Sequence, residues 1–171
     1  AVIGLSSPVQ AAVTFTVNST SDDVDWNPGD GVAETAPGNG VCTLRAAIQE
    51  TNALVGPDII NLPAGTYTLS IAGRDEDAAD TGDLDITGDL NITGDDQATT
   101  IVDGGGLDRV IQIHSGSTVD ISGMTVQNGN ITGDGGGIYN TGTLTLTYVT
   151  VRDNTSEAVG FSNVAGGGIY N

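Results

Sequence analysis

The chain has 171 residues, enough for one domain, and carries 22 acidic side chains, 18 of them Asp, against four Arg and no Lys. A net charge of −18 speaks against nucleic-acid and anionic-membrane partners, because every approach to phosphate would be repulsive. The single cysteine, Cys42, excludes an internal disulfide and a cysteine metal site, and no window is long and apolar enough to span a bilayer.

Ala1–Ala12 is uncharged, small and apolar. It has the composition of a signal-peptide remnant or of an assembly strand, and we expect a mature segment that packs on another surface. Val13–Val17 alternates apolar and polar residues, as a half-buried strand does. Asn18–Gly40 is a polar loop rich in Asp, Pro and Gly. Leu44–Leu54 has apolar residues at helical spacing with Thr43 as N-cap. A helix this short needs packing of its Leu44/Ala47/Ile48 face, which we expect to cover the open first turn of the strand-rich remainder. From there the chain reads as strands and turns: Ile59–Leu62, Thr66–Ile71, Leu84–Ile86, Leu90–Ile92, Thr100–Val102, Val110–Ile113, Thr118–Ile121 and Met124–Val126. Gly73–Gly82 interrupts them as an acidic excursion.

Two phrases repeat. Gly-Gly-Gly-Ile-Tyr-Asn fills Gly135–Asn140 and returns at Gly166–Asn171. Val119–Val126 matches Leu144–Val151. Repeats at such offsets mean structural units stacked on one another, and Val/Ile/Leu/Thr runs punctuated by Gly, Asn and Asp make the unit a turn of β-solenoid. The expected fold is all-β: a right-handed parallel β-helix with one short N-terminal capping α-helix. The expected divisions are an apolar segment over 1–12, a cap over 13–57 and the β-helix over 58–171.

Cys42-Thr-Leu-Arg-Ala-Ala-Ile-Gln, followed by Ile59-Ile-Asn-Leu-Pro-Ala-Gly-Thr-Tyr-Thr-Leu69, resembles the CSLREA domain, which opens secreted bacterial β-helix proteins of the pectin-lyase-like class. Asp103–Arg109, Ile121–Val126 and the Gly-Gly-Gly-Ile-Tyr-Asn phrases look like the same architecture. The last phrase, with Val151–Asn154, is also similar to repeats of chlamydial polymorphic outer-membrane adhesins, although Val stands where those have Phe. Ala46 stands where the CSLREA motif has Glu, and no second cysteine precedes the motif. The resemblance implies an extracellular β-helix at the cell surface or secreted. It implies no single activity. Cys42 then reads as a small buried hydrophobe.

For catalysis, a β-helix lyase needs a strong base beside acid-bound Ca²⁺, and a hydrolase needs paired carboxylates. Arg109 with Asp103 and Asp108, Arg152 with Asp153, or Asp95 with Asp96 are the available combinations. A Gly-His-Gly phrase is absent, and His114 stands at a strand end, where it reads as a surface residue. With no aromatic cluster for stacking on sugar, turn Asp residues and solvated Arg are the favoured reading, and no catalytic residue is assigned. For metal, Asp22, Asp23, Asp25, Asn27, Asp30 and Glu34 crowd oxygen ligands of the kind Ca²⁺ takes. Pro28 and the lack of a preceding helix rule out an EF-hand, leaving an irregular Ca²⁺ loop or a solvated turn anchored by Trp26. Asp75–Asp83 is a second candidate. Asn18, Asn91, Asn130 and Asn154 carry glycosylation sequons.

The leading function is structural: an extracellular adhesive β-helix that associates head to tail as a filament subunit. Val2, Ile3, Leu5 and Val9 of one copy would pack against the turn that holds Ile169 and Tyr170 of the next. The competing explanation for that open turn is a longer β-helix. The alternative function is a carbohydrate-active β-helix, or its part that binds a surface polysaccharide.

Overall fold

The computed structural model describes residues 11–74, 76–158 and 166–171. Every strand pairing in it is parallel. In chain order the elements are β1 (Thr14–Thr16), α1 (Leu44–Ala53), β2 (Asp58–Leu62), β3 (Gly65–Thr68), β4 (Leu84–Ile86), β5 (Leu90–Gly94), β6 (Thr100–Asp103) and β7 (Ile111–Ile113). They continue with β8 (Thr118–Gln127), β9 (Asn130–Thr132), β10 (Ile138–Asn140), β11 (Thr143–Arg152), β12 (Thr155–Glu157) and β13 (Ile169–Tyr170). The described residues form an all-β parallel solenoid with one short helix.

Each strand pairs with its equivalent one turn on. The first face stacks β1, β2, β5, the start of β8 and the start of β11. The second stacks β3, β6 and the ends of β8 and β11. The third stacks β4, β7, β10 and β13, and a short fourth face pairs β9 with β12. Inward ladders follow from the register. Phe15, Ile60, Ile92, Ile121 and Leu146 form one, Tyr67, Val102, Val126 and Val151 a second, and Leu84, Ile111, Ile138 and Ile169 a third. These ladders, aliphatic but for Phe15 and Tyr67, form the core, with Leu146 and Val151 partly buried against it and Ile169 exposed. Each aliphatic side chain fully buried stabilises by about 1.5–3 kcal/mol.

Both sequence repeats are structural repeats. Val119 pairs with Leu144 and Val126 with Val151, while Ile138 pairs with Ile169 and Tyr139 with Tyr170. Thr118–Gln127, expected as two strands, is one strand that turns its corner at Gly123, where φ is +64°. A Cβ there would lie 2.4 Å from the Gly94 carbonyl oxygen, so only glycine lets the two corners stack. One turn on, the corner position falls to Tyr148, also at positive φ (+53°) and 80% exposed.

The helix caps the stack as expected. Thr43 Oγ1 accepts from the Ala46 N–H, and α1 packs on β2 and β4. The expectation of one apolar face is too simple, because Leu44 through Thr51 are all buried. The Asn18–Gly40 loop folds over the polar side of α1. Gln49 Oε1 accepts from Asp25 N, and Glu50 accepts from Gly29 N and Gly31 N. Arg45 makes five guanidinium hydrogen bonds: two to Asp22, and one each to the carbonyls of Ala79, Gly82 and Asp83. Cys42 is buried, and burial pushes its thiol up to about 11. No helix among the described residues is long and apolar enough to cross a membrane.

Candidate functional site

The third face carries the chemistry. Its strands point Leu84, Ile111 and Ile138 inward, so the residues after them point outward. The register lines up Asp85, Gln112, Tyr139 and Tyr170 on four successive turns. Tyr139 and Tyr170 stack with ring centroids 5.0 Å apart and planes 8° from parallel. The Arg109 guanidinium lies 4.9 Å from the Tyr139 ring centroid. No aromatic cluster was expected from the sequence; these two rings stand a full turn apart in the chain and meet only because the turns stack.

A cleft of about 380 Å³ opens beside this line. The acidic excursion supplies Glu76 and Asp77, the β6–β7 connection supplies Asp108 and Arg109, and the β9–β10 connection supplies Asp134. Asp83, Gln112, Ile131 and Tyr139 complete the lining. Asp83 is 5% exposed. Its Oδ2 stands 3.6 Å from Arg109 Nε and takes no hydrogen bond. Burial, with the Asp85 and Asp108 carboxylates nearby, pushes Asp83 up to about 8. Burial likewise raises Asp85, against the opposing hydrogen bond from His114. The cleft is therefore an anionic surface with one carboxyl that holds its proton near neutral pH, suited to cations and to hydroxyl-rich ligands.

His114 is no free surface residue. Its Nε2 lies 2.9 Å from Asp85 Oδ1, 3.9 Å from Asp77 Oδ1 and 3.1 Å from Gln112 Nε2. Gln112 also donates to Asp77 Oδ1 at 3.2 Å and accepts from Arg109 Nη1. Arg109, expected to be solvated, has a side chain only 19% exposed. Arg152 and Asp153 do form an exposed pair at 2.9 Å. Asp95 and Asp96 are turn residues that accept from the Ala64 and Ala98 N–H groups.

The Asp22–Glu34 loop is organised by N–H donors. Asp22 pairs with Arg45 at 2.6 Å and also accepts from Ser70 N and Ile71 N, so a neutralising cation is already at hand. Asp30 accepts from Asn27 Nδ2 and Val32 N, and Glu34 accepts from Gly38 N at 2.6 Å. Asp25 is buried, and its Oδ1 accepts from Glu34 N. Burial, with Glu50 beside it, pushes Asp25 up to about 6. Asp23 is exposed and gives its carbonyl to Thr43 Oγ1. Trp26 is 63% exposed and does not anchor the loop. Among the described residues, the group of three ligand side chains that converges lies elsewhere, at Asp77, Asp85 and His114.

Of the sequon asparagines, Asn18 and Asn154 are tied at both ends of the amide. Asn18 bonds Gly40 O and Cys42 N, and Asn154 bonds Val126 O and Gly129 N. Asn91 and Asn130 sit half-buried in β5 and β9. Of the assembly residues, Ile169 is 38% exposed and Tyr170 half-buried, while Val2, Ile3, Leu5 and Val9 lie outside the described residues.

No protein-family model, no curated protein and no solved structure matches this chain.

Proposed function

We propose that this chain is an extracellular, adhesive right-handed β-helix of the CSLREA type, secreted or at the cell surface, whose turns are extended head to tail by a second copy. One observation carries the reading. Val119, Ile121, Met124 and Val126 on β8 are at most 1% exposed, whereas their register partners Leu144, Leu146, Val149 and Val151 on β11 are only partly buried. These are the same inward positions of the same repeat with less of the stack over them, a surface that a second copy or further turns of the same chain would cover. Burial of such side chains is the dominant favourable contribution to association. The N–H and C=O groups of a parallel edge give an added strand its register. The uncharged Val2, Ile3, Leu5 and Val9 of a second copy are the matching apolar supply.

Static light scattering across a concentration series tests this. Larger species are expected as concentration rises, with Leu144→Asp and Leu146→Asp holding the chain monomeric while circular dichroism stays β-rich. Deleting residues 1–12 should do the same. A chain that stays monomeric at high concentration, or variants that assemble as well as the parent, would refute it.

The acidic cleft beside Tyr139 favours a second reading, a carbohydrate-active or polysaccharide-binding β-helix. Its chemistry would be acid–base work by the cleft carboxylates. Incubation with acidic polysaccharides and Ca²⁺ separates the two: new ultraviolet-absorbing unsaturated ends or new reducing ends support the enzyme, and neither supports the scaffold.

A further inference from the structure

We propose that Asp77, Asp85 and His114 bind one divalent transition-metal ion of the zinc type. Ion binding there does not depend on whether the chain assembles. Their ligand atoms all lie within 4.8 Å of one another. Ligands about 2.0–2.1 Å from a tetrahedral ion stand about 3.4 Å apart. The His114 Nε2 separations, 2.9 Å to Asp85 Oδ1 and 3.9 Å to Asp77 Oδ1, bracket that value. Each of these two separations is about half an ångström from that value, the Asp77 and Asp85 oxygens lie within 4.8 Å of each other, and Asp77, with a side chain 76% exposed, has the room to close in.

The hydrogen-bonding around His114 calls for a cation. Nε2 faces an acceptor, Asp85 Oδ1, and a donor, Gln112 Nε2, at 2.9 and 3.1 Å. A protonated Nε2 satisfies Asp85 and meets the Gln112 amide donor-to-donor. A bare Nε2 satisfies Gln112 and turns its lone pair on the Asp85 carboxylate. A metal ion takes the lone pair and both carboxylates at once, with the Gln112 amide displaced toward solvent. The surroundings add to the demand. Asp85 is fully buried, and Asp83, two residues earlier and lining the same cleft as Asp77, is 5% exposed with an Oδ2 that takes no hydrogen bond and has only Arg109 Nε, 3.6 Å away, as a counter-charge.

The ligand set selects the ion. An imidazole with two carboxylates suits zinc, cobalt or nickel, whereas Ca²⁺ wants six to eight oxygens. Asp85 is held ready, since its Oδ2 accepts from Ala79 N and the Ala79 carbonyl is held by Arg45. Three protein ligands leave a fourth position for water or a bound anionic group. The ion would tie the acidic excursion, through Asp77, to β4 and to the end of β7.

The test uses metal-free full chain without a histidine tag. Calorimetry and elemental analysis should find one equivalent of Zn²⁺. Co²⁺ should give the visible bands of a four-coordinate nitrogen–oxygen site, and Zn²⁺ should bleach them. His114→Ala and Asp77→Asn, both at solvent-reachable positions, should each weaken binding at least about tenfold while circular dichroism is unchanged. A chain that takes up no Zn²⁺ at micromolar concentration overturns the proposal. So does His114→Ala that binds Zn²⁺ as tightly as the parent, because the ion would then sit elsewhere.

Discussion

Arg45→Met is the most informative single perturbation. The substitution keeps an apolar stem of similar length and removes the guanidinium, whose side chain has 0% exposure. Five hydrogen bonds go with it. The Asp22 carboxylate, 3% exposed, keeps only the Ser70 and Ile71 N–H groups, and the carbonyls of Ala79, Gly82 and Asp83 lose a donor. Breaking a buried pair from one side costs about 3–5 kcal/mol, because the remaining charge stays buried without its counter-ion. For a chain of this size that is a Tm lowered by roughly 6–20 °C. Urea unfolding followed by circular dichroism measures it, with an unchanged m-value to show that the folded state is otherwise the same. Arg45→Lys should recover little, because an ammonium has three donors and cannot reach both sides of the site. Asp22→Asn with Arg45→Met should cost less than the sum of the single changes. A loss below about 1 kcal/mol for Arg45→Met would mean that the buried pair contributes no more than a surface one, and the account of the cap would fail.

At the corners, Gly123→Ala should destabilise by about 2–4 kcal/mol, since it combines positive φ with a Cβ 2.4 Å from the Gly94 oxygen. Tyr148→Gly, at the exposed corner one turn on, should stabilise by about 0.5–1 kcal/mol by relieving φ of +53°; a thermal melt of each variant checks both signs. Asp25 has a folded pKa raised from 3.8 to about 6, so the native state holds its proton more tightly than the unfolded chain does. Its contribution to stability is therefore complete below about pH 4 and lost as pH rises through about 6. Asp25→Asn should be the more stable form at neutral pH, with the gap closing toward acid in urea midpoints; a gap independent of pH would refute the assignment. Calcium at the Asp22–Glu34 loop is decided by titrating metal-free protein: a Tm that rises with millimolar Ca²⁺ and no longer does so in Glu34→Gln supports the ion, and an unchanged Tm leaves the loop held by its own N–H groups.

The sequence by itself determined the solenoid and, at its two repeated phrases, the register. Where one turn repeats the wording of the next, the matched phrases are the strand pairs Val119/Leu144 and Ile138/Ile169 themselves. It also placed the helix, its Thr43 cap and its position over the first turn, since a short amphipathic segment has few other ways to be stable. Asn130–Thr132 was not legible as a strand, because so short a segment carries too little alternation. Nor was the burial of Arg45 and Glu50 legible, because a helical pattern predicts one covered face, and the Asn18–Gly40 loop covers the other. The candidate site was decided by tertiary structure alone. Asp85, Gln112, Tyr139 and Tyr170 line up on successive turns whose loops differ in length, so no single period reveals them. Asp77 reaches His114 because hydrogen bonds from Arg45 to Ala79, Gly82 and Asp83, from Gln49 to Asp80 and from Gln112 to Asp77 itself fix the acidic excursion against the third face. A solenoid writes its core into the sequence as a repeat, but its surface sites are assembled by the loops that break that repeat.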